Sequence, residues 1–342
     1  MTADQLYMQR ALELATIGMG LVSPNPLVGC VIVKNDKIIG EGWHKKYGEA
    51  HAEVNAINAV QNKEQLNGAR LYVTLEPCSH FGKTPPCADL ISQYKFQKVV
   101  ICNIDPNPLV SGKGIKKITE AGIAVEWGTL NEKGRELNKR FFTYMEKQRP
   151  YIVLKWAQTA DGFVAKEDYE SKWISNDISR MLVHKWRSEE DAVMVGANTA
   201  LHDNPQLNVR EWKGRNPVRV VIDRGLRLSK ELHLFDDTQP TLCYNDLMES
   251  EDGATTYIKI SNVPFVIADL YSRKIQSVMI EGGAKLLNEI IALGLWDEAR
   301  IVTGDKIFGS GIKAPAIPVG TSYERYSVRN DEWLIIRNNN TI

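Results

Sequence analysis

His51-Ala52-Glu53 is followed by Pro77-Cys78, 27 residues after the histidine, and by Cys87 nine residues further on. One histidine and two cysteines can hold a zinc ion through three bonds and leave a fourth position for water. Zinc lowers the pKa of such a water to about 7, which makes a nucleophile for an aromatic amidine carbon available at neutral pH. Glu53, two residues after the histidine, is placed to take the proton from the water and deliver it to the ring nitrogen and the departing amine. These residue types point to hydrolytic deamination of an amino-heterocycle.

Each part has a plainer reading. A His-x-Glu triplet alone carries little information. Two cysteines nine apart can be buried apolar residues. They can also belong to a structural zinc site completed by His80 or Cys102. The combination favours a catalytic metal. Its spacing also discriminates, because the common deaminase pattern is Pro-Cys-x-x-Cys, whereas here eight residues separate Cys78 from Cys87. That departure argues against a cytidine, tRNA or DNA deaminase.

The surrounding pattern supplies elements to position these groups. Ala50 to Val60 reads as a helix carrying His51 and Glu53 on its first turns. Ala69 to Thr74 reads as a strand, which puts Cys78 at a strand-to-helix turn where a helix N-terminus stabilises a thiolate. Met8 to Gly18 predicts a further helix. Val28 to Val33 and Lys37 to Trp43 predict strands joined at Asn35-Asp36. Ala88 to Tyr94 reads as a helix, and Lys98 to Ile104 and Ile123 to Trp127 as strands. Asn131 to Gln148 reads as one charged helix that Arg149-Pro150 ends. The layering expected is α/β/α.

The chain has 342 residues, which favours two domains, and the boundary falls at 147/148. Lys plus Arg and Asp plus Glu both number 42, so no basic excess suggests nucleic acid. No apolar run reaches the length of a membrane span, and Met1 to Arg10 lacks secretory character. Five cysteines, two assigned to metal, fit a reduced cytoplasmic setting. Cys30, Cys102 and Cys243 lie in apolar, strand-like runs and read as core.

The second half alternates strands (Tyr151 to Ala157, Ala192 to Val195, Val218 to Asp223, Thr241 to Asn245, Ser277 to Glu281) with helices (Asp177 to Arg187, Ala284 to Leu293). Gly282-Gly283, between a strand and a helix, lets backbone approach a phosphate. No Gly-x-Gly-x-x-Gly follows a strand, and Lys113 between Gly112 and Gly114 lacks the P-loop spacing.

Ser23-Pro24-Asn25-Pro26-Leu27-Val28-Gly29-Cys30 and the Cys78 to Cys87 loop resemble the bifunctional deaminase/reductase family of riboflavin biosynthesis. So do Lys155-Trp156-Ala157-Gln158-Thr159-Ala160-Asp161-Gly162, Ser171-Lys172-Trp173-Ile174-Ser175, the stretch from Val195 to Arg210, Val220-Val221-Ile222-Asp223 and Glu281-Gly282-Gly283. The resemblance implies a cytidine-deaminase-like domain at 1–147 and a dihydrofolate-reductase-like domain at 148–342. It implies a phosphorylated pyrimidine as the small-molecule partner, zinc and NADPH as cofactors, and a homo-oligomer.

By motif, Ala157, Trp173, Thr199, Asp203, Asp223, Gly283, Ala284, Lys285, Leu286, Leu287, Asn288 and Glu289 would contact the cofactor. Asn25, Ser171, Arg187, Leu207, Arg210 and Glu281 would contact substrate. Guanidinium forks suit a ribose phosphate, although a helix-end arginine is more commonly solvated. Asn25 equally suits plain turn chemistry, and Trp173 suits core packing. His80 and Lys83 could hold a phosphate near the metal or be solvated. For the reductase step no dedicated acid stands out, although Lys155 or Asp161 could assist. Two other classes remain: a nucleic-acid or nucleoside deaminase with a binding domain, and a zinc-stabilised scaffold.

Overall fold

Thr2 caps the first helix, α1 (Ala3–Thr16): its hydroxyl accepts from the Gln5 amide, and the Gln5 side chain accepts from the Thr2 amide. The computed structural model describes residues 1–81, 85–108, 110–169, 174–259, 262–318 and 322–338. Within it the chain divides into two compact units, Met1–Lys147 and Gln148–Ile342.

In the first unit, β1 (Gly29–Lys34) and β2 (Lys37–Trp43) form a hairpin. Asn35 and Asp36 turn it with φ of 50° and 57°, the angles a two-residue hairpin turn demands. There follow α2 (Ala52–Ala59), β3 (Arg70–Leu75), α3 (Cys87–Ser92), β4 (Lys98–Asn103), α4 (Lys113–Glu120), β5 (Ala124–Trp127), α5 (Asn131–Leu137) and α6 (Lys139–Lys147). Among the described residues the sheet order is β2-β1-β3-β4-β5, antiparallel up to β3 and parallel beyond it.

Alternate residues of the strands face opposite sides. Cys30, Ile32, Leu71, Val73, Val99 and Ile101 pack with residues of α2, α3 and α4. Val31, Val33, Tyr72, Val100 and Cys102 pack with α1 and with Leu137 of α5. The result is the three-layer α/β/α arrangement expected.

Two elements differ from the sequence reading. The helix expected over 131–148 breaks at Asn138, whose buried side chain accepts from the Leu27 amide (2.8 Å) and donates to the Leu27 carbonyl (2.9 Å). Helix α4 was not anticipated. The carboxylate of Glu76 accepts from the amides of Gly112, Gly114 and Ile115 at its start.

The second unit contains β6 (Tyr151–Gln158), β7 (Phe163–Ala165), α7 (Asp177–Glu189), β8 (Ala192–Gly196), α8 (Ala197–Asp203), β9 (Val218–Ile222), β10 (Thr241–Asn245), β11 (Ser250–Asp252), β12 (Thr255–Lys259), α9 (Val263–Ser272), β13 (Ser277–Gly282), α10 (Ala284–Ala292), β14 (Glu298–Thr303), β15 (Ile312–Lys313), β16 (Ser322–Val328) and β17 (Asp331–Arg337). Among the described residues the main sheet runs β11-β12-β10-β9-β8-β13-β6-β14-β17-β16, with parallel pairs from β12 to β14. One face buries Ile152, Leu154, Met194, Val220 and Ile280 under α9 and α10. The other buries Val153, Val193, Val195, Val221 and Met279, packed with Ala200 of α8 and Trp186 of α7. Parallel strands covered on both faces read as continuous apolar runs.

Candidate active sites of the two units

His51 is the N-cap residue of α2, and Glu53 lies in the first turn of that helix. The helix sits directly on β2 because Gly40 and Gly42 carry no side chain. A Cβ at Gly42 would stand 2.3 Å from the Ala56 nitrogen, and one at Gly40 would stand 2.5 Å from the Ala56 carbonyl. Opposite, the Cys87 amide at the start of α3 donates to the Cys78 sulfur at 3.3 Å. Cys78 itself precedes that helix by a loop, so the thiolate-stabilising amide comes from Cys87.

The His51 Nδ1 lies 3.6 Å from the Cys78 sulfur and 3.3 Å from that of Cys87, and all three donor atoms fall within 4.8 Å of one another. Tetrahedral zinc with ordinary bond lengths places its nitrogen and sulfur ligands about 3.6 Å apart, so this donor set fits the ion. Among the described residues the donor cluster has these three members. Cys102 is not near it: the thiol is buried on the other face of the sheet and donates to the Leu130 carbonyl. His80 is exposed on the cavity wall, and Lys83 lies outside the described residues.

The three donors are electrostatically linked. The bond from Cys87 and the contact with His51 pull the Cys78 thiol down, while the hydrogen bond to Cys78, with burial, pushes the Cys87 thiol up. Glu53 is 3% exposed, and burial, reinforced by the Cys78 charge, pushes its carboxyl up to about 7. His51, Glu53 and Cys78 open on a cavity of about 360 Å³ whose walls also carry Asn25, His44, Glu76, Asp105 and Asn107.

Asn25 reaches this cavity, as expected, and its amide nitrogen lies 3.0 Å from His44 Nε2. His44 Nδ1 is 3.2 Å from the Ala50 carbonyl, so this nitrogen carries the proton and Nε2 accepts from Asn25. Burial lowers the His44 pKa and keeps the ring neutral. One Asn25 N–H is thereby engaged and the amide orientation fixed, which leaves its carbonyl oxygen and its second N–H for a ligand. Sequence reasoning missed Asp105. Burial, with Glu76 and Cys78 nearby, pushes this carboxyl up to about 7. The only signal was Asp105-Pro106-Asn107-Pro108, which reads as a turn.

In the second unit a cavity of about 930 Å³ lies at the C-terminal ends of β6, β13, β8 and β9. Ala157, Thr199, Asp203, Leu207, Glu281, Gly283, Ala284, Lys285, Leu286, Leu287 and Glu289 all line it. Ser171 and Trp173 lie outside the described residues. Arg187 lines the cavity, and three of its five N–H groups are engaged: Nε and Nη2 donate to Glu281 at 2.6 and 2.7 Å, and Nη1 donates to the Asn208 carbonyl. Burial alone would raise Glu281, but Arg187 holds it at about 2. Burial lowers Lys155, which stands near the same pair.

Arg210, Asn288 and Asp223 are not among the residues lining this cavity. Arg210 donates to the Asn208 side chain, and Asp223 is buried and accepts from the Leu228 amide. Asp161 caps a loop, accepting from Thr159, Phe308 and Gly309. Gly282 has φ of 142°, and a Cβ on Gly283 would come within 3.0 Å of Thr199 Oγ1. The turn is therefore open to a ligand only because both residues are glycine.

Residues 1–103 match the family model of the cytidine and deoxycytidylate deaminase zinc-binding region, and residues 150–332 match that of the RibD C-terminal domain. The riboflavin biosynthesis protein RibD of Aquifex aeolicus is 41% identical over 335 residues, covering 95% of this chain and 94% of that one. RibD of Escherichia coli is 35% identical over 330 residues, covering 90% and 89%. A solved Thermotoga maritima structure, described as a diaminohydroxyphosphoribosylaminopyrimidine deaminase/5-amino-6-(5-phosphoribosylamino)uracil reductase, is similar at a TM-score of 0.90 and 39% identity, covering 98% of both chains. Acinetobacter baumannii RibD matches at 0.90 and 35% over the same shares. Both units and nearly the full length are thus accounted for by one kind of protein, and the chain belongs to the RibD family of bifunctional riboflavin-biosynthesis enzymes, a cytidine-deaminase-like deaminase followed by a dihydrofolate-reductase-like reductase.

Proposed function

We propose that the first unit holds zinc through His51, Cys78 and Cys87 and hydrolytically deaminates 2,5-diamino-6-ribosylamino-4(3H)-pyrimidinone 5′-phosphate. The second unit then uses NADPH to reduce the ribosyl group to the ribityl side chain. The observation that carries this reading is the meeting of the three donors beside a cavity that His51, Cys78 and buried Glu53 line. Zinc bound there supplies the Lewis acidity that makes water a nucleophile near neutral pH. A dication beside Glu53 stabilises its carboxylate, the form needed to accept a proton. Its buried, upshifted carboxyl then delivers that proton to the ring and the leaving amine. Asn25, oriented by His44, offers an acceptor to the substrate.

In the second unit the Gly282-Gly283 turn, Thr199 and the start of α10 are suited to the cofactor phosphates. NADPH supplies the hydride when bound. Glu281, fixed by Arg187, and Lys155 hold the ribosyl group against it. Arg187, three of whose five N–H groups are engaged by Glu281 and the Asn208 carbonyl, keeps two for the substrate's phosphate. Asp161 serves its loop and is not the proton donor. Balanced charge supports a small-molecule partner rather than nucleic acid, and among the described residues no helix is long and apolar enough to cross a membrane. The family resemblance supports a homo-oligomer in the cytoplasm.

The test is a coupled assay on zinc-loaded protein that follows ammonia release and NADPH absorbance. Ammonia followed by stoichiometric NADPH loss is the expected result. Ammonia without NADPH loss overturns the reading of the second unit. Neither signal, with zinc bound, overturns the substrate assignment.

A further inference from the structure

Glu76 directly follows β3 and stands two residues before the metal donor Cys78. It is 3% exposed, an unfavourable place for a carboxylate unless hydrogen bonds replace water. Four backbone amides do so. Oε1 accepts from Gly114 at 3.0 Å and Ile115 at 3.2 Å, and Oε2 accepts from Gly112 at 3.0 Å and Asp105 at 3.4 Å. A carboxylate offers about four acceptor sites. Glu76 therefore has none left for a ligand, although it borders the first unit's cavity.

The donors come from the two ends of one loop. Asp105 lies just after β4, and Gly112, Gly114 and Ile115 open α4, whose N-cap residue is a glycine with no side chain to cap it. Between them the chain turns back on itself. The Asp105 carboxylate accepts from the Asn107 amide at 2.8 Å, and the Asn107 carbonyl accepts from the Val110 amide at 2.8 Å. Asp105, Asn107 and Val110 line the same cavity as His51, Glu53 and Cys78. The start of α4 also rests on the chain beside the metal donor, since a Cβ at Gly114 would stand 2.0 Å from the Pro77 carbonyl oxygen. One carboxylate thus ties the Pro77-Cys78 edge of the cavity to the wall that Asp105 and Asn107 form.

We propose that Glu76 is a positioning residue of the deaminase: without touching substrate, it holds the Asp105 and Asn107 wall in place against the metal edge and so sets how tightly the pyrimidine is gripped. The inference rests on the reading that the first unit deaminates the phosphorylated diaminopyrimidine. The negative charge suits the role, because a helix N-terminus carries partial positive charge and all four groups facing Glu76 are donors. A glutamine in the same place would aim an N–H group at some of those donors. A plain helix cap would contribute stability and leave substrate binding alone.

The experiment measures ammonia release against substrate concentration with full-length, zinc-loaded protein. Bound zinc and reduction of separately supplied deaminated substrate are measured on the same samples. In E76Q, KM should rise about 10-fold, on the order of one lost charge-assisted hydrogen bond. Its kcat should fall less than about 3-fold, the signature of binding shared by ground and transition states. Zinc should stay bound, and reduction should hold within about 2-fold, because each unit has its own core. G112A is the milder variant: its φ of 75° disfavours alanine, while a Cβ there meets nothing within 4 Å. Its KM should rise about 2- to 5-fold. An unchanged KM in the folded variants, or a kcat loss that tracks lost zinc at constant KM, overturns the inference and leaves Glu76 a structural cap. Should E76Q fail to fold, the KM of G112A decides alone. Absence of ammonia release from wild type overturns the underlying reading and the inference with it.

Discussion

Glu53 combines near-complete burial with a carboxyl pushed up to about 7, and a structural role at the metal does not require either. Glu53→Gln keeps the shape and removes the proton carrier. Deaminase turnover should fall about 10²- to 10⁴-fold, while bound zinc, measured by mass spectrometry of the metal, stays near one equivalent. Retained turnover would rule out Glu53 as the proton carrier. Cys78, Cys87, His51 and Glu53 were visible in the sequence because few residue types can do that chemistry. Asp105 and His44 were not. An aspartate in Asp-Pro-Asn-Pro reads as a turn, and its burial follows only from how Glu76 gathers the amides around it. At the other site Glu281 gives a pH prediction. Depression from 4.5 to about 2 corresponds to about 3 kcal/mol. This contribution is complete above about pH 4.5 and is lost as pH falls toward 2, because the unfolded state then takes up the proton first. Glu281→Gln should flatten the acid limb of stability measured by urea unfolding across pH 2–5. It should also cost about 3 kcal/mol at pH 7 by leaving Arg187 buried and unpaired. An acid limb identical to wild type would show that other carboxylates control it.

At the scale of elements, apolar alternation and turn chemistry revealed the first sheet, and side-chain hydrogen bonding hid the rest. Residues 131–147 carry a helical pattern throughout, yet Asn138 leaves the helix to pair with both backbone groups of Leu27. That pairing fixes the segment just after Asn25. Asn138→Ala should orphan two buried backbone groups and cost about 2–4 kcal/mol, read as a lower unfolding midpoint. It should also raise KM for deamination more than it lowers kcat. If KM is unchanged, Asn138 serves stability alone. In the second unit β14 escaped sequence reading because Glu298 and Arg300 occupy its interior. They are buried in a network in which Arg300 Nε donates to Glu298 at 2.6 Å and the Tyr151 hydroxyl donates at 3.0 Å. Charged residues at core positions break the apolar run by which a covered parallel strand is recognised. The strands and glycine turn that frame the second cavity were legible.

For the whole molecule, each unit has its own sheet, its own buried clusters and its own cavity, and the metal donors belong to the first unit alone. Metal removal should therefore divide the two activities. Zinc bound there would offset the charge of two thiolates beside a buried carboxyl, and binding to the folded state would stabilise that state by mass action. Stripping zinc with a chelator should abolish ammonia release. Reduction of separately supplied deaminated substrate should continue within about 2-fold, because Lys155, Glu281 and the glycine turn do not depend on the ion. Hydrogen exchange should localise the loss of order. Amides at the start of α2 and at the Cys87 helix start should exchange faster, since these ends carry the metal donors, while the apolar contacts between the two helices remain. Amides of β6, β8 and β13 should keep their protection. Equal loss of both activities on chelation, reversed together by zinc, would show instead that the reductase also depends on the ion.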